Sequence, residues 1–397
     1  MPRRWILIKK VPKIIFISII TLAIALIPIY FIIDFFNPSQ IRNIEVLLEF
    51  EGDNAYLMVE DQINLNLTHY RTPGTAGRED CVDYFVNKFK EIDENFTYIL
   101  HNFTVLSINC QNVVFKLNEH FDNIVILAAH YDSRAKATKD PNISLRSEPV
   151  PGANDGASGC GVLIELARVL YNQRLDLECQ IWFLFFDAED QGSDWDTGIT
   201  GWNWCEGSTR FADNLEDFYD SPEYFDCMVL LDMVGGDNLQ FINEQYSTSS
   251  LLQEIFEIGR QLGFEQAYPT NPISATITDD HVSFVERGIP SADLIINFWN
   301  NPSWSYHHTT QDDLSHISNH SLEITGKTIE QFIYNNYLQI PSNNYEGNYP
   351  WNNDINLIDT DILMMLIVVI SVIAVSTLSY GIYKKYVNKQ NAKLKEY

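Results

Sequence analysis

Four short apolar runs punctuate the middle of this 397-residue chain, at 123–129, 180–186, 227–231 and 292–298. Each is strand-length, and unbroken apolarity predicts burial on both faces, as in the interior of a parallel sheet. Between and after them, apolar residues recur at helical spacing over 157–171, 249–262, 280–287 and 321–337. This alternation predicts an α/β fold, a mostly parallel twisted sheet flanked by helices on both faces. In such sheets ligands bind beyond the carboxyl ends of the strands.

Two longer runs behave differently. Residues 14–33 and 362–383 carry no charge over 20 and 22 positions, enough to cross a hydrocarbon core of about 30 Å. They predict transmembrane helices at 14–36 and 362–383. The first has no small-x-small cleavage site after it, so it is expected to be retained rather than removed as a signal peptide. Basic residues flank the outer end of each run in sequence, which places both termini in the cytoplasm and the body outside. The expected order is a basic tail (1–13), the first span, a juxtamembrane segment (37–69), a catalytic body (70–341), a polar Asn-rich linker (342–361), the second span and a basic tail (384–397).

The formal charge of −27 averages unlike regions. Ten of the 26 Lys and Arg lie in the two tails with one acid, Glu396, which leaves 52 acids against 16 bases elsewhere. A nucleic-acid partner is excluded for such a body; the field favours cationic ligands, among them a free N-terminal amine. Sequons at Asn66, Asn95, Asn102, Asn142 and Asn319 fit an external location. The six cysteines match no zinc knuckle, and outside the cell their even number permits disulfides of unassigned pairing.

The chemistry-bearing residues cluster at the ends of these runs. His130 and Asp132 close the first, and their spacing of two puts both side chains on one side, so Asp132 can orient the imidazole. A single strand-end histidine is more often only hydrogen-bonded; it becomes a ligand candidate through its company. Asp155 sits in a small-residue loop, 151–159, where it can bridge two cations or simply cap the following helix. Glu189 and Asp190 follow a very apolar strand, and adjacent acids point apart, leaving one for metal and one as proton acceptor. Asp232 ends the third run, where a buried acid needs a cation or donor. Tyr306-His307-His308 supplies a second imidazole, and the residues alone do not choose between the two histidines. Two imidazoles, three carboxylate ligands and a spare carboxylate are what a pair of zinc ions and an attacking water require.

With the entry sequence Arg71-Thr72-Pro73-Gly74-Thr75-Ala76-Gly77, and with Ala129-His130-Tyr131-Asp132-Ser133, Pro151-Gly152-Ala153-Asn154-Asp155, Leu231-Asp232-Met233 and His308-Thr309 in order, the chain resembles the family 28 zinc metallopeptidases. That family holds aminopeptidases and the animal glutaminyl cyclases. The resemblance runs from about Tyr70 to Tyr337. It implies an eight-stranded, mostly parallel zinc exopeptidase-like sheet, one zinc on His130 and Asp232, a second on Asp190 and His308, and Asp155 between them. Glu189 would be the general base, Asp132 the orienter of His130, and Asp280 and Trp195 substrate-site residues. Two departures stand out: Asp190 replaces the family's usual Glu, and His307 replaces the Trp that precedes the last ligand in cyclases. The leading expectation is a membrane-anchored zinc aminopeptidase acting on external peptides with free N-termini. A single-zinc glutaminyl cyclase is the alternative, and a non-catalytic receptor or scaffold on the same fold is a third.

Overall fold

The computed structural model describes residues 47–65, 70–193, 198–298 and 304–338, with Lys384 and Asn388. Both apolar spans, the polar linker and Trp195 lie outside the described residues. Among the described residues, no helix is long and apolar enough to cross a membrane.

In chain order the described body runs α1 (Gly52–Asn64), α2 (Ala76–Ile92), β1 (Thr97–Val105), β2 (Ile108–Leu117), β3 (Asn123–His130), α3 (Ala157–Asn172), β4 (Gln180–Phe186) and α4 (Glu206–Asp213). It continues with β5 (Tyr224–Asp232), β6 (Asn243–Glu244), α5 (Ser249–Gln261), β7 (Ser274–Ala275), α6 (Val282–Val285), β8 (Ser291–Ile295) and α7 (Asn319–Tyr337). The main sheet has the order β1-β2-β4-β3-β5-β8. Strands β4, β3, β5 and β8 pair in parallel, whereas β1 and β2 form a hairpin joined antiparallel to β4. Instead of eight strands in one sheet, the described residues form six, with β6 and β7 as a separate parallel pair.

The four apolar runs do become the parallel strands, and residue parity decides what each face meets. Ile124, Ile126 and Ala128 of β3, with Trp182, Leu184 and Phe186 of β4, pack against Phe211 of α4 and Phe284 of α6. The alternate residues face α2, where Phe85 stacks on Phe185 at 4.4 Å and Phe89 on Phe115 at 3.7 Å between ring centroids. Helices therefore cover both faces, and α3 packs on β3 and β5 with α1 and α7 outside it. Two predicted elements are shorter than their patterns: α6 covers only 282–285, and β8 ends at Ile295. All six cysteines are free and buried.

Candidate metal centre

Register places the chemistry. His130 pairs with Phe186 at the carboxyl end of β3 and β4, and Asp232 pairs with Ile295 at the same end of β5 and β8. From there His130 Nε2 reaches Asp232 Oδ1 at 3.2 Å and Asp155 Oδ1 at 3.1 Å. The other oxygen, Asp155 Oδ2, faces His308 Nε2 at 3.6 Å, and the same nitrogen lies 2.9 Å from Asp190 Oδ1. One carboxylate thus stands between two imidazole–carboxylate groups whose members interleave along the chain.

Tight backbone approach makes this possible. A Cβ on Gly156 would meet His130 O at 2.4 Å and the His130 ring at 2.7 Å, so only glycine lets the 151–159 loop lie against the ligand. Asp155 does not cap α3; the cap residue is Gly156, without a side-chain bond. Instead Asp312 holds the loop, accepting from Asn154 N at 2.8 Å and Asp155 N at 3.1 Å. Arg71 ties the loop to the strand end by donating to Tyr131 O (2.8 Å), Pro151 O (3.1 Å) and Gly152 O (2.6 Å). Asp132 accepts from Glu189 N, Asp190 N and Gln191 Nε2 at 3.0, 3.2 and 2.8 Å, and its Oδ1 lies 3.5 Å from His130 Nδ1. A single carboxylate therefore aims the first imidazole and fixes the turn carrying the acid pair. Ala188, Met233 and His308 all adopt left-handed φ, at 61°, 48° and 58°, the kind of local strain that a well-determined site holds in place.

The environment is dry and acidic. Burial pushes the carboxyls of Asp190 and Asp232 up to about 6, against the lowering pull of Arg134 and His130 respectively. Glu189 rises well above the usual carboxylate range from burial and from its acidic neighbours. Burial opposes charge on His130, yet hydrogen bonds to Asp132, Asp155 and Asp232 raise it well above its ordinary value. Burial, with Arg134 nearby, lowers His308.

These residues fit zinc. Asp155 Oδ2 and Asp190 Oδ2 are buried oxygens without a hydrogen-bond partner, and imidazole nitrogens with carboxylate oxygens are a zinc donor set. Above them opens a cavity of about 530 Å³, lined by Glu189, Asp279, Trp204, Phe298 and Ile277 among others.

The family model for Peptidase family M28 matches residues 112–333. The chain belongs to peptidase family M28. It is 25% identical to glutaminyl-peptide cyclotransferase of Drosophila melanogaster over 71% of this chain and 81% of that protein. It is 30% identical to aminopeptidase YwaD of Bacillus subtilis over 53% of this chain, a match spanning 41% of that protein. The crystal structure of a Zn-dependent exopeptidase from Parabacteroides distasonis superposes with a TM-score of 0.65 at 30% identity, covering 73% of this chain and 99% of that one. An M28 frame of this kind, with the ligand types intact, is that of a zinc metallopeptidase-like enzyme.

Within this M28 site, His130, Asp132, Asp155, Glu189, Asp190, Asp232 and His308 all converge. Asp280 does not line the cavity; it is fully buried, and the neighbouring Asp279 forms the wall. His307 is close to His308 in position, with Nε2 3.8 Å from Asp155 Oδ2, but its Nδ1 accepts from Lys139 Nζ at 2.7 Å. Sequence reasoning missed Arg134, which is 1% exposed and donates to Asp190 O at 2.6 Å and Asp190 Oδ1 at 3.0 Å. It also missed the stack in which Trp204 lies 5.9 Å from His308 at 9° and carries the Arg134 guanidinium at 4.8 Å. A basic residue four positions after the first ligand is a faint signal. The sequence 191–207, with Trp195, Trp202 and Trp204, carries a stronger signal, and Trp204 lines the cavity.

Proposed function

We propose that the chain is an aminopeptidase holding two zinc ions, one on His130 and Asp232 and one on Asp190 and His308, with Asp155 shared. The observation that carries this is the split reach of Asp155, Oδ1 to His130 at 3.1 Å and Oδ2 toward His308 at 3.6 Å. Zinc bound there would polarise the scissile carbonyl and lower the pKa of water towards neutrality. Glu189, on the cavity wall, accepts the proton of the attacking water and returns it to the leaving amine. Asp132 keeps His130 in place, and the acidic wall that includes Asp279 receives the substrate's N-terminal ammonium.

A second reading, glutaminyl cyclase, is supported by the broader overlap with a cyclase than with YwaD. It needs one zinc, on Asp155, Asp190 and His308. Purified protein distinguishes the two by zinc count and by release of N-terminal residues against cyclisation of an N-terminal Gln peptide. In the Glu189→Gln variant we expect turnover to fall by about 10²–10⁴-fold with zinc retained; full turnover would remove Glu189 as the base.

The two apolar spans anchor this enzyme with its body outside the cytoplasm. Exposure of Asn95, Asn102, Asn142 and Asn319 supports that orientation. Protease sensitivity of the two basic tails, rather than of the body, in intact cells would reverse it.

A further inference from the structure

A second group of metal donors opens onto the same cavity without using any residue of the ligand set. Cys205 Sγ lies 3.4 Å from Glu189 Oε1, and one donor atom from each of Glu189, Cys205 and Asp279 lies within 4.8 Å of the other two. All three side chains are buried. Glu189 and Asp279 line the cavity, which gives an ion a route in. Asp279 Oδ2 has no hydrogen-bond partner, although the residue is only 3% exposed, and a buried carboxylate oxygen without a donor calls for one or for a cation. Glu189, Asp280 and Asp279 all act electrostatically on the Cys205 thiol. The thiol is held in position because Cys205 N donates to Glu189 O at 2.9 Å.

We propose that Glu189, Cys205 and Asp279 form an additional, inhibitory site for a thiophilic divalent cation, taking zinc in excess or cadmium. One sulfur and two carboxylates match the borderline-soft character of zinc, and the sulfur favours cadmium further. As the metal–sulfur bond forms, the Cys205 S–H bond breaks and its proton passes to solvent; no electron changes hands. The ion draws on the Glu189 carboxylate and so withdraws it from proton transfer. This inhibitory consequence rests on Glu189 being the base, whereas the binding site itself does not.

The test titrates cadmium into the zinc-loaded full chain and reads the ultraviolet cadmium–thiolate charge-transfer band. Because the ligand set of the main centre contains no sulfur, cadmium exchanging into that centre gives no such band. We expect the band in the native chain, its loss in Cys205→Ser, and a roughly tenfold weaker titration in Asp279→Asn, in line with removal of one ligand's charge. In parallel, excess zinc should lower native turnover at least about tenfold and leave the relative inhibition of Cys205→Ser below about twofold. Absence of the band, or its survival in Cys205→Ser, overturns the site. A band that appears with no change in turnover overturns the inhibitory half. Protein that binds no zinc and turns over neither peptide substrate overturns the functional reading instead.

Discussion

Glu244 and Asp155 are both buried carboxylates paired with a histidine, 2.9 Å from His281 Nε2 and 3.1 Å from His130 Nε2 respectively. Around Glu244 the protein supplies every donor. Tyr246 N and Ile277 N reach Oε1, both at 3.0 Å, while Ser247 N and Ser247 Oγ reach Oε2 at 2.7 and 2.9 Å. Asp155 receives no comparable set, and its Oδ2 has no partner. Both pairs are buried histidine–carboxylate contacts, so proximity alone does not mark a metal ligand. What distinguishes Asp155 is that the oxygen left over after the backbone has been counted also faces a second imidazole, His308 Nε2 at 3.6 Å. On that criterion Glu244 is a structural residue that joins the β6 region to the cavity wall at Ile277, and Asp155 is the carboxylate suited to the metal role proposed for it.

The largest effect should come from Asp155→Asn. In the proposed two-zinc site this removes a ligand from both positions, and metal ions contribute several kcal/mol to reactions of this type, so turnover should fall by more than about 10³-fold. Zinc content by elemental analysis should fall with it. Retention of two ions per chain in this variant would erase the distinction drawn with Glu244.

Next in size is the choice between the adjacent histidines. His308→Ala should remove the Asp190-side ion and cut turnover by about 10²-fold or more, because a lost direct ligand costs at least as much as a lost supporting one. His307→Ala should keep the zinc content of the native chain, since its Nδ1 accepts from the Lys139 ammonium, which leaves the ring proton on Nε2, the nitrogen that faces Asp155. Equal metal loss in the two variants would mean that His307 shares the position.

Arg134→Gln should be milder. Arg134 fixes Asp190 through both its carbonyl and its carboxylate, so its loss loosens a ligand without removing one, and zinc affinity at that position should drop by about 10–100-fold. Competition with a chelator of known affinity measures this. Tighter binding would instead show that the guanidinium mainly repels the ion.

How far the chain disclosed this in advance depended on what each element buries. Strands β3, β4 and β5 are buried on both faces, so they read as apolar runs, and His130 and Asp232 were visible as the polar residues that end them. The β1–β2 hairpin was not visible. β1 is half exposed and mixed in composition, and the two-residue turn is Leu106-Ser107, at φ 45° and 72°, where a hairpin usually announces itself with Asn or Gly. Helices α1 and α2 are similarly polar in sequence and gain their burial from neighbours. Arg134, Asp312 and Asp279 lie in loops whose partners are distant in sequence, and no periodicity reports such pairings. Asp279 and Asp280 show a related limit: adjacent acids in one turn point to different places, and the fold puts Asp279 on the cavity wall and buries Asp280.

The smallest effect on turnover and metal content, and the one that sharpens the comparison from the Glu244 side, concerns acid stability. Four protein donors and His281 hold Glu244 at about 2 against burial, which alone would raise it. The folded carboxyl is therefore more acidic than the unfolded one, whose ordinary value is about 4.3. A depressed folded pKa gives stability that is fully present above the unfolded value and is lost as pH falls towards the folded one. The window is thus about pH 4.3 down to about 2. Glu244→Gln keeps the shape but removes the charge, so native and variant proteins should converge in denaturant midpoint as the pH approaches 2 and diverge above pH 5. Zinc content should be unchanged at neutral pH, because Glu244 contributes nothing to the metal centre. A variant with native stability throughout this range would show that the donors around Glu244 do not favour its charged form, and the contrast with Asp155 would lose its physical basis.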